Sequence, residues 1–304
     1  MTIHRDKLTA LLANPKLPPE DKPRVEEALN RYDAWIADLD NLTSTGSDLL
    51  VEMISLLNQY KKFIEFDLIF CSEMDFLYRQ KGQLKLDNTI LEEFLPRLVD
   101  PRLVPGIDRH ADLTKGPQKS FAGLSFGFFD APLKSGGVAV KEKNQDFSVG
   151  RRIYFKASTT SNYSGNDVYE KTLNVGYLVA EIKTNLDKTM FQEAAATSRE
   201  LKRNVNGATY LLLAEWLDMP PIDTRQTDID EVILLRKAKR LNSNVRSEFS
   251  KAENRARLAE EYGEYLDSNP YQLSSFERIV QRLCITFPET VELDENDVLH
   301  RGYF

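Results

Sequence analysis

The chain has 304 residues, of which 41% are hydrophobic and 29% are charged, so it is long enough to bury one large core or two modest ones. Its formal net charge of −7 excludes a uniformly basic nucleic-acid coat, although a local basic surface would suffice for DNA binding. Two cysteines without a CxxC pair predict a reduced, cytoplasmic protein, and no apolar run reaches the ~18 residues that a membrane span needs.

The histidines disfavour two further classes of enzyme. His4, His110 and His300 are far apart in the sequence. HNH nucleases and zinc hydrolases need clustered His or Cys ligands. A Ser-His-Asp triad would have to use His110 or His300, and no nucleophile elbow is expected, so serine hydrolysis is also disfavoured.

Residues 1–100 are predicted to be helical, because apolar residues recur at helical spacing between polar breaks. The pattern predicts a helix after residues 18–23, a long helix over 49–79, and a short helix capped by Asn88. These helices are expected to pack on the core. Alternatively, one of them carries a carboxylate into a metal site, and Glu52, Glu65 and Glu73 are then equal candidates.

Residues 101–150 are rich in glycine and proline, with phenylalanines between the breaks, which predicts loops with short strands. The segment is either a DNA-facing insert or a surface excursion, and both interpretations stay open. Residues 151–157 are predicted to form a strand, and residues 158–165 a polar loop.

A short apolar strand over residues 176–184 ends in Glu-x-Lys. Period-2 alternation places Glu181 and Lys183 side by side on one face, opposite Ile182. A charged pair at the end of a largely buried strand is costly unless it binds something. The ligand that suits such a carboxylate is a hard divalent cation.

A second carboxylate is expected from Asp167, which lies 14 residues before Glu181. If residues 168–170 form a strand and residues 171–175 a turn, the resulting hairpin brings Asp167 beside Glu181. Residues 187–204 then predict a helix and residues 208–216 an apolar strand, while residues 229–235 fit a strand or a short helix.

This order of elements resembles the PD-(D/E)xK nuclease core, with Asn166 in place of the usual proline. It predicts an α/β fold with a restriction-endonuclease-like core, in which helices flank a mixed central sheet. We expect a helical N-terminal region over residues 1–100 and a catalytic domain with DNA-contacting loops over residues 101–304.

Residues 233–258 carry eight basic side chains against two glutamates. They predict a phosphate-contacting surface that includes Arg236, Lys237, Lys239 and Arg240. The alternative is a solvated helix face with salt bridges.

Residues 181–194 and 269–272 resemble Type II restriction endonucleases of the BbvCI/DdeI-like group, and the resemblance covers roughly residues 150–290. It implies Mg²⁺-dependent hydrolysis of double-stranded DNA at a short specific site, together with a second nuclease subunit in a homo- or heterodimer. Asp167, Glu181 and the Ile182 carbonyl would hold the metal, and Lys183 would act on the attacking water. The rivals are a non-specific or repair-type nuclease of the same core and a DNA-binding partner subunit with a vestigial site.

Overall fold

The computed structural model describes residues 2–110, 112–127, 137–164, 168–288 and 295–302. The N-terminal region is helical, as predicted, and its helices are α1 (Ile3–Leu12), α2 (Lys22–Asp40), α3 (Gly46–Lys62), α4 (Asp75–Leu84) and α5 (Leu86–Phe94). The helix expected over residues 49–79 is interrupted, because the chain passes from α3 into a π-helical stretch, Phe63–Phe70, and a turn before α4. Asn88 lies inside α5, whose N-cap is Lys85.

A five-stranded mixed sheet forms the centre of the described chain. Its strands are β1 (Leu113–Phe126), β2 (Val138–Ser158), β3 (Val168–Leu186), β4 (Thr209–Leu217) and β5 (Glu231–Lys239), in that spatial order. The pairs β1–β2 and β2–β3 are antiparallel, whereas β3–β4 and β4–β5 are parallel. Parallel neighbours need a crossover, which α6 (Lys188–Asn204) provides between β3 and β4.

Several predictions around the Glu-x-Lys strand are confirmed. Helix α6 begins where the Asp187 carboxylate accepts a hydrogen bond from the Met190 N–H, so Asp187 is its N-cap. The apolar run after it forms β4, and residues 229–235 contribute to strand β5 rather than to a helix.

Two predictions about strands are wrong. Much of the segment expected to form loops with short strands belongs to β1 and β2, which pair as a long antiparallel ladder. Residues 171–175, expected to form a turn, lie inside β3 and pair with β2. The β2–β3 ladder contains a register shift between Val149 and Gly150, and this bulge lies within a few residues of the Glu-x-Lys motif.

The sheet is covered on both faces. One core includes Leu178, Ala180 and Ile182 of β3 and side chains of helices α1–α5 and α10 (Leu273–Thr286). On the other face, α6 packs Phe191 and Ala194 against Val179. Because the first core runs from the N-terminal helices into the sheet, it is continuous across the predicted boundary at residue 100.

The remaining helices follow the last strand. They are α7 (Ser243–Glu248), α8 (Ala252–Arg257), α9 (Ala259–Ser268), α10 and α11 (Glu295–Arg301). Within the described ranges, no helix combines the length and apolarity required to cross a bilayer.

Candidate active site

Glu181 and Lys183 meet on the α6 side of strand β3. The Lys183 Nζ lies 2.7 Å from Glu181 Oε1, and each side chain is about one-fifth exposed. Tyr210 of the neighbouring strand β4 donates a hydrogen bond of 2.5 Å to Glu181 Oε2. Burial alone would lower the pKa of Lys183, but the hydrogen bond and the charge of Glu181 outweigh it and raise that pKa. The pair therefore consists of a carboxylate and a cationic ammonium group.

Asp146 supplies a second carboxylate that the sequence analysis missed. Phe147 of β2 pairs with Ala180 of β3, so Asp146 follows directly opposite Glu181. Its Oδ2 accepts a hydrogen bond of 2.9 Å from the Ile182 N–H. Burial raises the pKa of Asp146 and the charge of Glu181 adds to the effect, while the Ile182 N–H, Lys85 and Lys183 oppose it. The available signal was an acidic residue immediately before a buried alternation, Phe147 and Val149.

Asp167 itself lies outside the described residues. Its sequence neighbour Val168 pairs with Ser158 at the far end of the β2–β3 ladder. Glu181 stands 13 residues further along the same strand, which corresponds to roughly 40 Å at about 3.3 Å per residue. The turn that was expected to bring Asp167 beside Glu181 is absent, because β3 runs unbroken through residues 171–175.

The N-terminal helices bring another carboxylate toward the site, but it is none of the three expected. Glu52 and Glu73 are exposed, and Glu65 belongs to a buried ion-pair network. Glu92 of α5 lies near Asp146 instead. Burial, with the charge of Asp146 adding to it, raises the pKa of Glu92 to about 7.

The donor set fits Mg²⁺. Asp146 and Glu181 present oxygen atoms, and Mg²⁺ is commonly held by one or two carboxylates together with waters and substrate phosphates. Among the described residues, no cluster of three or more His, Cys, Asp or Glu side chains is suited to hold a metal ion.

The prediction that Arg236 contacts DNA needs correction. Its side chain is 4% exposed, and it pairs with Glu65 at 2.9 Å and Glu215 at 3.3 Å. Lys61 completes this group, which we call the buried ion network, at 2.9 Å from Glu215. A guanidinium held between two interior carboxylates has no face left for a DNA phosphate, so Arg236 joins the helical region to the sheet.

The other three predicted phosphate contacts are accessible. Lys237 and Lys239 are exposed at the end of β5, where Lys237 donates to Ser274 Oγ at 2.6 Å. Arg240 is half-buried and pairs with Asp218 at 3.0 Å. Phosphate contact by these three residues stays a prediction.

Residues 123–127, Gly-Leu-Ser-Phe-Gly, match the GxSxG pattern of serine hydrolases. In those enzymes the serine stands on a sharp turn between a strand and a helix. Here Ser125 lies within strand β1, pairs with Ala139 and is exposed. The match therefore does not form a nucleophile elbow.

Paired carboxylates and a lysine on adjacent strands of a mixed sheet, with helices on both faces, define a restriction-endonuclease-like fold. The model of the Bpu10I restriction endonuclease family matches residues 83–304 of this chain. The chain belongs to that family and is a type II restriction endonuclease. No curated protein matches it by sequence.

A solved structure shares the fold. The native BbvCI A2B2 tetramer, described at low resolution, contains a chain that matches this one with a TM-score of 0.55 and 18% sequence identity. The match covers 88% of this chain and 98% of that chain, so it extends beyond the sheet into the helical N-terminal region.

Proposed function

We propose that this restriction endonuclease uses Mg²⁺ to hydrolyse phosphodiester bonds of double-stranded DNA, and that Asp146, Glu181 and Lys183 form its catalytic site. The observation that carries the proposal is the meeting of Asp146 and Glu181 on paired strands, with Lys183 at 2.7 Å from Glu181. Asp167, the carboxylate expected from the sequence, becomes the competing assignment.

Each residue has a distinct task. Asp146 and Glu181 would hold Mg²⁺, with the Ile182 carbonyl as a further ligand. The bound ion would neutralise charge on the phosphate and lower the pKa of a water molecule. Lys183 is a cation beside that position, so it would orient the water and balance the charge that develops on the phosphate. Tyr210 keeps Glu181 in place through its 2.5 Å hydrogen bond.

We further infer that cleavage of both strands needs a second nuclease subunit. One such site hydrolyses one strand, and an assembly of two sites cuts a duplex. The name of the BbvCI structure describes an A2B2 tetramer, which supports an assembly of two kinds of subunit for this chain as well.

The cytoplasm is the compartment that we propose, since host DNA lies there. Cys71 and Cys284 are both free thiols in the structure, as suits a reducing environment.

The test compares two identical chemical changes, Asp146→Asn and Asp167→Asn, on a supercoiled plasmid whose cleavage sites have been mapped with the unaltered enzyme. Asp146→Asn should lower the cleavage rate at least about 100-fold, because it removes a metal ligand. Asp167→Asn should cut at the unaltered rate. The reverse result would assign Asp167 to the site in place of Asp146.

A second experiment tests the metal requirement. Cleavage is expected in Mg²⁺ or Mn²⁺ but not in EDTA, and full activity in EDTA would refute the metal requirement.

A further inference from the structure

A cavity opens at the carboxyl ends of the parallel strands. It has a volume of about 400 Å³, and Thr184 and Asn185, the two residues after the catalytic Lys183, form part of its wall. In sheets with parallel strands, ligands bind in the crevice outside the carboxyl ends. A cavity of this size accepts a ligand of a few rings. It is far too small for a double helix, whose major groove alone is about 12 Å wide. We call it the strand-end pocket.

One part of its wall is cationic, in a protein whose net charge is −7. Its basic residues are Lys81, Lys85, Arg240 and Arg246. Arg240 and Arg246 share the single carboxylate of Asp218, at 3.0 and 3.9 Å, so together they keep a net positive charge. Glu65 also lines the cavity, but Lys81 and Arg236 pair with it at 3.6 and 2.9 Å, so the wall keeps a positive charge and attracts an anion.

Lys85 has an unusual backbone conformation at the junction of α4 and α5. Its φ is +51°, in the left-handed region, where a side chain costs about 1 kcal/mol relative to glycine. Its side chain is exposed and lines the strand-end pocket, while its charge also acts on Asp146 and Glu92. Lys85 thus links the electrostatics of the pocket to those of the catalytic site.

Most of the remaining wall is formed by aromatic and amide side chains. Its aromatic residues are Tyr78, Trp216, Phe249, Tyr262 and Tyr265. Trp216 and Tyr265 are stacked, with their ring centroids 5.0 Å apart. Asn88 and Asn185 add side-chain amides, the groups that pair with the edges of bases.

We propose that the strand-end pocket binds one nucleotide of the DNA substrate, displaced from the duplex, with its phosphate on the cations and its base against the aromatic wall. A site for phosphate alone would need only the cationic side chains. Aromatic rings, amides and cations together match the three parts of a nucleotide, and aromatic side chains and base-edge hydrogen bonds are how proteins hold a base outside the stack. The proposal rests on the function inferred above, because DNA is the substrate of that function.

The test uses a fluorophore that the chain already contains. Of the two tryptophans in the sequence, Trp216 lines the pocket, and Trp35 lies in the N-terminal core. The Trp35 Nε1 has no hydrogen-bond partner among the described residues, so Trp35→Phe removes an unpaired donor. In that variant, all tryptophan fluorescence reports on the pocket.

Single-stranded pentathymidylate should quench this fluorescence saturably. An abasic oligomer of the same length and charge should bind at least about fivefold more weakly, because it lacks the stacking of the base. Removing both Arg240 and Arg246 by alanine substitution should weaken binding at least about tenfold. The matched control removes the same charge at Lys16 and Lys22, which are exposed in the N-terminal region outside the pocket, and should lose much less.

A duplex with one unpaired thymidine tests displacement directly, because a base that is already unpaired avoids the cost of leaving the stack. It should bind the Trp35→Phe protein at least about fivefold more tightly than the perfect duplex. Equal binding of the pentathymidylate and the abasic oligomer, or of the two duplexes, would overturn the proposal. Fluorescence does not depend on cleavage, so these outcomes are separate from those of the Asp146→Asn experiment.

Discussion

Three glutamates of this chain have different electrostatic environments, because the residues around their carboxyl groups differ. Glu181 is held by Lys183 and Tyr210 and is accessible to a substrate. Glu65 is buried and pairs with Lys61 and Arg236, which join the helical region to the sheet. At Glu92, burial and the charge of Asp146 outweigh the opposing charges of Lys85 and Lys7 and raise its pKa.

The position of Glu92 predicts a supporting role in catalysis. Glu92→Gln should lower the cleavage rate in Mg²⁺ about tenfold, as is usual when a group behind the metal ligands is lost. DNA binding in Ca²⁺ should change little. Rates from single-turnover cleavage and affinities from gel shifts separate the two effects. Glu52→Gln, at an exposed carboxylate of α3, is the control and should cleave normally.

The pKa of Glu65 predicts how the free energy of unfolding depends on pH. Burial alone would raise its pKa, but Lys61, Lys81, Arg236 and Tyr262 outweigh it and lower the pKa of Glu65 to about 2. A depressed carboxyl pKa stabilises the fold above the unfolded value of 4.5, and this contribution is lost as the pH falls from about 4.5 to about 2.

Denaturant titrations at several pH values should therefore show a steep fall in the free energy of unfolding over that range. Glu65→Gln should be less stable at pH 7 by about 3 kcal/mol, because it unbalances the network, and should show a shallower fall. Glu73→Gln, at an exposed carboxylate, should behave like the unaltered protein. A parallel fall in Glu65→Gln would show that other groups cause the acid sensitivity.

At the scale of elements, the bulge in the β2–β3 ladder sets the geometry of the site. The ladder shifts register between Val149 and Gly150, and bulges of this kind often re-aim side chains next to active sites. A Cβ at Gly150 would lie 1.9 Å from the carbonyl oxygen of Val175, which is backbone and cannot rotate away. Only glycine allows the two strands to approach so closely.

Gly150→Ala should therefore destabilise the protein by at least about 2 kcal/mol and reduce cleavage, because the register that aligns Asp146 with Glu181 would be disturbed. Gly82→Ala is the matched control. A Cβ at Gly82 meets nothing within 4 Å, and Gly82 lies in helix α4, so alanine should stabilise by about 0.5–1 kcal/mol. Thermal unfolding of the two variants should shift in opposite directions.

The sequence predicts well those elements whose pattern is local. The β3–α6–β4 order follows from apolar runs and helical spacing, and the Glu-x-Lys motif marks one half of the proposed site. Asp146 escapes prediction because its partner lies 35 residues away and nothing periodic marks which strands pair. Glu92 and the burial of Arg236 escape for the same reason, since both depend on how the helices pack on the sheet.

At the scale of the whole molecule, the proposed catalytic site would make the number of cut strands a measure of assembly, because each such site hydrolyses one strand. Lys183→Ala should abolish cleavage by its own subunit and leave specific binding in Ca²⁺ nearly intact, because the lysine acts in the transition state. If the partner is a different subunit, the reconstituted enzyme should become a nickase and convert supercoiled plasmid to open circles. If the partner is a second copy, the plasmid should stay supercoiled. Linear product at the normal rate would exclude Lys183 from catalysis.

The buried ion network limits how relatives of this enzyme can be recombined. Lys61 and Glu65 precede the region that matches the Bpu10I family model, while Glu215 and Arg236 lie within it. A chimera joined near residue 83 that inherits only half of these four charges would leave interior charges unpaired. The expected loss of folding stability is about 3–5 kcal/mol. The helical region and the nuclease core must therefore be exchanged together, or the four residues must be transplanted as a set.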